Sequence, residues 1–122
     1  DFEAKTTGFI DEKGADDFVQ DDSALAIKTD EGLVVITGCS HSGICNIIAH
    51  ARRVSGIEKV YAVAGGFHLK KIDTRTLQTI KYLKNEKIQK VFPSHCTHEP
   101  VLSAMIKEFG SHTIRAGMVL SL

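Results

Sequence analysis

The chain carries no surplus of charge: fifteen Lys and Arg offset fifteen Asp and Glu, and no long run of one sign interrupts the mixture. That balance leaves no electrostatic footprint for nucleic acid or for an anionic membrane surface. No apolar stretch approaches the roughly 20 residues needed to span a bilayer. The opening "DFEAKTTGF" lacks the basic-then-apolar order of a signal peptide. The three cysteines are an odd number; they do not make a disulfide framework and point to a reducing, cytoplasmic setting. The chain opens without an initiator methionine, which reads as a fragment or a processed form. Several catalytic signatures are also missing. There is no C-x-x-C pair, no H-E-x-x-H, and no Walker or dinucleotide glycine motif. "GCSHS" ends in Ser42 where a serine-hydrolase elbow needs glycine, and no phosphatase-type arginine follows Cys39 in "CSHSGIC".

What is present fits one domain, residues 1–122, with a real core: 122 residues, 43% of them hydrophobic. Residues 1–23 are rich in Gly and Asp and read as loop, with Asp16, Asp17, Asp21 and Asp22 as a solvated acidic cluster. "ALAIK" (24–28) reads as a strand, "TDEG" (29–32) as a hairpin turn, and "LVVIT" (33–37) as a buried strand. The period then becomes helical through Ile44, Ile47, Ile48, Ala51 and Val54. Ser40 or Ser42 is the expected cap and Gly56 the stop. "KVYAVA" (59–64) is the next strand. A helix capped by Asp73 follows, with Leu77, Ile80 and Leu83 on one face. "KVF" (90–92) is a strand. The last helix has Pro100 in its first turn, the stripe Val101, Leu102, Met105, Ile106, Phe109, and Gly110 as its stop. "HTIRAGMVLSL" ends the chain as one or two short strands. The order β-β-α-β-α-β-α-β predicts an α/β fold, a mixed sheet with helices packed on it and right-handed crossovers.

Three loops leaving strand carboxyl ends each hold a histidine: His41 in "TGCSHSG", His68 in "AGGFHL" and His95 in "PSHCTHEP". Parallel strands align their carboxyl ends along one edge, where ligands bind, so these three residues are predicted to converge. Singly, each loop histidine is a solvated side chain, each glycine a turn former, and Cys39 or Cys45 a small buried hydrophobe. Three histidines together on one edge outweigh that reading. His50 and His112 fit no pattern. Neutral imidazole is both a common metal ligand and an acid or base near neutral pH. Zinc takes three or four N, S or O ligands, and His41, His95, Cys39, Cys96 and His98 are the candidates. A Cys nucleophile with a His base is the other chemistry these loops allow, with Cys39 its first candidate.

"GLVVITGCSHSGICNII", "YAVAGGFHL" and "FPSHCT", in that order, resemble the C-terminal half of metallo-β-lactamase-fold hydrolases. The closest group is the branch of β-lactamase superfamily II metal-dependent hydrolases that includes dihydropterin ribofuranosyl-aminobenzene phosphate synthase-like proteins. The resemblance runs from about Asp22 to the end. It implies the C-terminal half of an αββα sandwich with two metal ions at one edge, acting on a small, phosphate-bearing or related substrate. By this resemblance His95 matches the last metal-ligand histidine and His41 the mid-chain ligand. Cys39 stands where many relatives place a metal-bridging Asp. His68, in the "GGFHL" signature, is the candidate catalytic acid, base or substrate contact. The implied cofactor is a divalent metal, zinc first, with manganese or iron as alternatives.

Two departures bear on function. The family's H-x-H-x-D-H motif, which supplies most of the metal ligands, does not occur in the chain, and "HCTH" at 95–98 replaces the usual "HCTG". The chain therefore reads as part of a metal-dependent hydrolase, associating as a homodimer or with a complementary N-terminal half. The competing reading is a non-catalytic module that keeps the fold and binds metal, ligand or a partner through the same edge.

Overall fold

The computed structural model describes residues 9–122; the first eight residues of the expected loop lie outside the described part. Residues 9–23 are irregular, joined once across themselves by an isolated bridge between Ile10 and Asp16. Four strands and three helices follow: β1 (Ala24–Thr29), β2 (Gly32–Thr37), α1 (Ile44–Ser55), β3 (Val60–Gly66), α2 (Thr74–Asn85), β4 (Lys90–Ser94) and α3 (Val101–Phe109). The strands form one mixed sheet in the order β1-β2-β3-β4. β1 is antiparallel to β2, while β2, β3 and β4 are parallel. The hairpin turn is the predicted one: Thr29 pairs with Gly32 and bonds its carbonyl through Oγ1 at 2.7 Å.

The two faces of the sheet meet different surroundings. Leu33 and Val35 of β2, Val63 of β3 and Val91 of β4 share a core cluster with Ile44, Ile47 and Ile48 of α1, Leu83 of α2, and Val101 and Met105 of α3. Fully burying a side chain of this size stabilises by about 1.5–3 kcal/mol, so this face carries most of the fold. The opposite face follows the alternate register, Leu25–Ile36–Ala64–Phe92 and Ile27–Val34–Ala62. His112 packs edge-on against Phe92 at 5.4 Å, and Ala62, Ala64 and Phe92 are buried. Toward β1 the cover stops. Leu25 is 64% exposed, Ile27 45% and Ile36 39%. The second face is thus covered along β3 and β4 and left open at β1 and at Ile36 of β2.

Four expectations need correction. The segment 112–122 forms no strand: His112 is drawn to Phe92, a turn joins Met118 N to the Arg115 carbonyl, and Gly117 has φ 84°. α1 has no side-chain cap; its N-cap is Gly43, because the hydroxyls of Ser40 and Ser42 bond elsewhere. Val54 and Leu77 lie on exposed helix faces, and α2 buries Thr76 and Thr79 beside Leu83 instead. Asp22 is not solvated like its acidic neighbours but half-buried and bonded to Ser42. The other stops and caps stand: Gly56 and Gly110 end α1 and α3 in the left-handed conformation, and Asp73 accepts from Thr76 N at 3.0 Å. Pro100 is the N-cap of α3, one position before the first turn.

Two measurements check this packing. Gly65 has φ +132°, and a Cβ there would lie 2.1 Å from the Thr37 carbonyl oxygen. Gly110 has φ +62° with nothing within 4 Å. Gly65→Ala is expected to lose on the order of 3 kcal/mol in urea unfolding and Gly110→Ala about 1 kcal/mol, which separates steric contact from backbone strain. The uncovered Leu25, Ile27 and Ile36 should make the isolated chain self-associate at high concentration. Sedimentation should show this weakened in a Leu25→Glu, Ile27→Lys variant; a wild-type chain that stays monomeric would show that the face needs no cover.

Candidate functional site

The three parallel strands end side by side, with Thr37 opposite Gly65 and Gly66 opposite Ser94. The loops leaving them are held together by side chains that continue the sheet's hydrogen bonding. Ser40 Oγ donates to the Gly66 carbonyl at 2.6 Å. Its only proton is thus committed, so Thr37 Oγ1 must donate to Ser40 Oγ at 2.8 Å. Gly66 N donates to the Gly38 carbonyl at 2.8 Å. Phe67 N donates to Thr97 Oγ1 at 3.0 Å and His98 N to the Leu69 carbonyl at 2.9 Å. From the other side Asp22 Oδ2 accepts from Ser42 N at 2.8 Å and from Ser42 Oγ at 2.9 Å.

This stitching brings His41 and His68 into direct contact, ring centroids 4.5 Å apart and nearly perpendicular, with Phe9 against both. His95 leaves the next strand along the same edge and is exposed; among the described residues no ring contact joins it to the other two. His98 is exposed on the same loop. The predicted convergence onto one edge is therefore observed, with two of the three imidazoles touching.

Each loop also holds one non-glycine residue in the left-handed region: Ser40 at φ 57°, His68 at 48° and His95 at 50°. Such residues cost of order 1 kcal/mol or more each and persist only where their surroundings over-determine them, typically at functional sites. Two of the three are the candidate histidines. His68 Nδ1 is buried with no hydrogen-bond partner. Burial, followed by the neighbouring His41, Lys70, His98 and Arg75, lowers the His68 pKa and favours its neutral form. Neutral imidazole is the form that binds metal or takes a proton.

The donor set is partial. Among the described residues no group of three or more His, Cys, Asp or Glu is placed to hold a metal ion. Imidazoles in contact, one with an orphaned buried nitrogen, fit as part of a ligand set but fall short of the three protein ligands of a catalytic zinc. The thiols lie at different depths. Cys39 and Cys96 are half-buried at the edge, where Cys96 Sγ donates to the Cys39 carbonyl at 3.4 Å. Burial is the main cause holding the Cys96 thiol above its ordinary value. Cys45 is buried in α1.

The residues that hold the edge together, Thr37, Ser40, Thr97 and Asp22, were not among the sequence candidates. Short hydroxyl side chains beside glycine are common in any turn, and Asp22 sits in a run of acidic residues. No local pattern sets these four apart.

No family model matches the chain. It is 44% identical over 94 residues to the 7,8-dihydropterin-6-methyl-4-(β-D-ribofuranosyl)-aminobenzene-5′-phosphate synthase of Methanocaldococcus jannaschii, covering 76% of this chain and 32% of that protein. It is 39% identical over 88 residues to an uncharacterised protein of the same organism, covering 71% of this chain and 31% of that one. A crystal structure described as a metal-dependent hydrolase of the β-lactamase superfamily superposes with a TM-score of 0.72 at 35% identity, over 81% of this chain and 40% of that one. The chain thus spans about a third of the length of the curated relatives it matches.

The third thiol supplies a pH test. Burial pushes Cys45 from 9.0 up to about 11, offset in part by a hydrogen bond from Thr79. The folded state therefore holds a proton that the unfolded state releases. Its stabilising contribution is whole below pH 9 and is lost as pH rises toward 11. Unfolding free energy should fall by about 2–3 kcal/mol over that window, with Tyr82, also raised by burial, adding a loss of the same sign. Cys45→Ala should flatten the part due to Cys45 when urea unfolding is compared at pH 8 and 10.5.

Proposed function

We propose that this chain, which belongs to the β-lactamase superfamily, supplies one part of a metal-dependent hydrolase-like active site acting on a small, phosphate-bearing molecule. The observation that carries this reading is the edge itself: His41 against His68, and His95 on the adjoining loop, at three parallel strand ends. In it His41 and His95 hold a divalent metal, zinc first, with manganese or iron as alternatives. His68 contacts the substrate or moves a proton. A bound metal supplies Lewis acidity and a water made acidic enough to attack at neutral pH. The chain's own residues do the positioning: Ser40, Thr37 and Thr97 fix the loops, and burial keeps His68 neutral.

Two features support the substrate class and the need for more chain. One relative's name specifies a 5′-phosphate product and another's a hydrolase, so the reaction type is set by what surrounds the edge and the edge contributes its imidazoles. The relatives are about three times as long as the matched segment, and the donor set here is incomplete. We assign the missing ligands, and the cover over Leu25, Ile27 and Ile36, to a complementary N-terminal portion, with a homodimer as the other arrangement. The partial donor set equally favours the second reading, a non-catalytic module that binds metal or ligand weakly.

The test has two arms. The isolated chain, dialysed against Zn²⁺ or Mn²⁺, should retain less than one ion; two tightly held ions per chain would overturn the partial-site reading. A chimera replaces the aligned segment of the archaeal synthase with this one. It should hold metal, and His41→Gln or His95→Gln should each lower its metal content, whereas His68→Gln should lower activity with metal retained. Full activity in all three variants would leave the module reading.

A further inference from the structure

The thiols of Cys39 and Cys96 have no part in the function proposed above. They come from loops 57 residues apart in sequence and meet over one point of the sheet edge. A Cβ placed on Gly66 would lie 2.6 Å from Cys96 Sγ and 3.4 Å from Cys39 Cα, with the Gly38 carbonyl at 2.7 Å. Only a glycine lets both loops close on β3 there. Cys96 Sγ already donates to the Cys39 carbonyl at 3.4 Å. Both are free and half-buried, so small reagents reach them. Cys45, in contrast, is sealed in the core under α1.

We propose that Cys39 and Cys96 form a reversible dithiol–disulfide pair, a modification site that ties the first and third loops of the edge together. A carbonyl oxygen lies about 2.4 Å from its own Cα by standard backbone dimensions, so Cys96 Sγ is already within about 6 Å of Cys39 Cα. Bonding then needs side-chain rotation and small loop shifts, well inside the reach of a disulfide. The oxidant is a low-molecular-weight disulfide. The Cys39 thiolate attacks one of its sulfurs, a mixed disulfide forms and one small thiolate leaves. The Cys96 thiolate then attacks the Cys39 sulfur and displaces the second. The protein loses two electrons and two protons, and the small disulfide is reduced to two thiols. The reverse order, with Cys96 attacking first, gives the same bridge and the same two small thiols. The bridge would sit close to His41 and His95 in the chain, so oxidation adds a covalent tie between loops that hydrogen bonds already hold.

The experiment incubates the folded, metal-free chain with oxidised glutathione, quenches it in acid, alkylates it and reads intact mass and joined peptides. The expected product has lost two hydrogens, carries one alkylated thiol out of three, and yields a peptide joining Cys39 to Cys96. Excess reductant should restore all three thiols. Cys39→Ser and Cys96→Ser should each take a single glutathione adduct with no hydrogen loss, and Cys45→Ala should still form the bridge. Separate adducts on Cys39 and Cys96, a bridge that includes Cys45, or a folded chain whose edge thiols stay unreacted while the unfolded chain reacts would each overturn the proposal. The oxidised form should also unfold at a higher temperature than the reduced form, a shift that Cys39→Ser abolishes.

Discussion

The structure hinges on how closely the end of β3 is approached from both sides. Thr37 and Gly38 press their carbonyl oxygens into the space where side chains of residues 65 and 66 would stand, and Cys96 Sγ does so from the far side. Loops leaving parallel strands usually diverge, because nothing continues the ladder beyond the last pair. Here the ladder is extended by Gly66 N on the Gly38 carbonyl and by the Ser40 hydroxyl on the Gly66 carbonyl. His68 leaves that clamp two residues later and meets His41. The left-handed backbone at Ser40, His68 and His95 is a cost that the same bonds offset.

Much of this was legible in the chain. The change from short apolar runs to helical spacing after Thr37, and again after Ala64 and Phe92, placed three histidines beyond three strand ends. Parallel topology then forced them onto one edge. The resemblance that those loops carry is matched by relatives at 35–44% identity. What escaped was decided by tertiary contacts of weak local signature. Ser42 looked like a cap, yet its hydroxyl and amide both go to Asp22, twenty residues back. Val54 and Leu77 continued helical stripes yet stand on exposed faces of α1 and α2. The last eleven residues have strand-like composition but turn at Gly117 and give His112 to Phe92, so β4 remains the edge. Which two of the three imidazoles touch depends on backbone angles that no spacing encodes.

No described helix is long and apolar enough to cross a membrane, and the second face leaves Leu25, Ile27 and Ile36 uncovered. They cluster at β1, the edge strand, and fade toward β4, where His112 covers Phe92. At the end of the same sheet, no group of three or more His, Cys, Asp or Glu among the described residues is placed to hold a metal ion. The exposed apolar residues and the edge histidines thus belong to one sheet, in a chain that spans about a third of the length of the curated relatives it matches.

The polar bonding of the edge is, by contrast, largely complete within the chain. Thr37 is bonded to Ser40 and Ser40 to Gly66, Phe67 is bonded to Thr97, and Asp22 is bonded to Ser42. The most conspicuous exception at the edge is the buried Nδ1 of His68. A binding surface whose loops are already ordered loses little conformational freedom when a ligand or a complementary segment arrives, so more of the contact energy appears as affinity. The buried Nδ1 of His68 then lies where an added group gains by bonding to it, since an unsatisfied buried polar atom costs about 1–3 kcal/mol until it is paired.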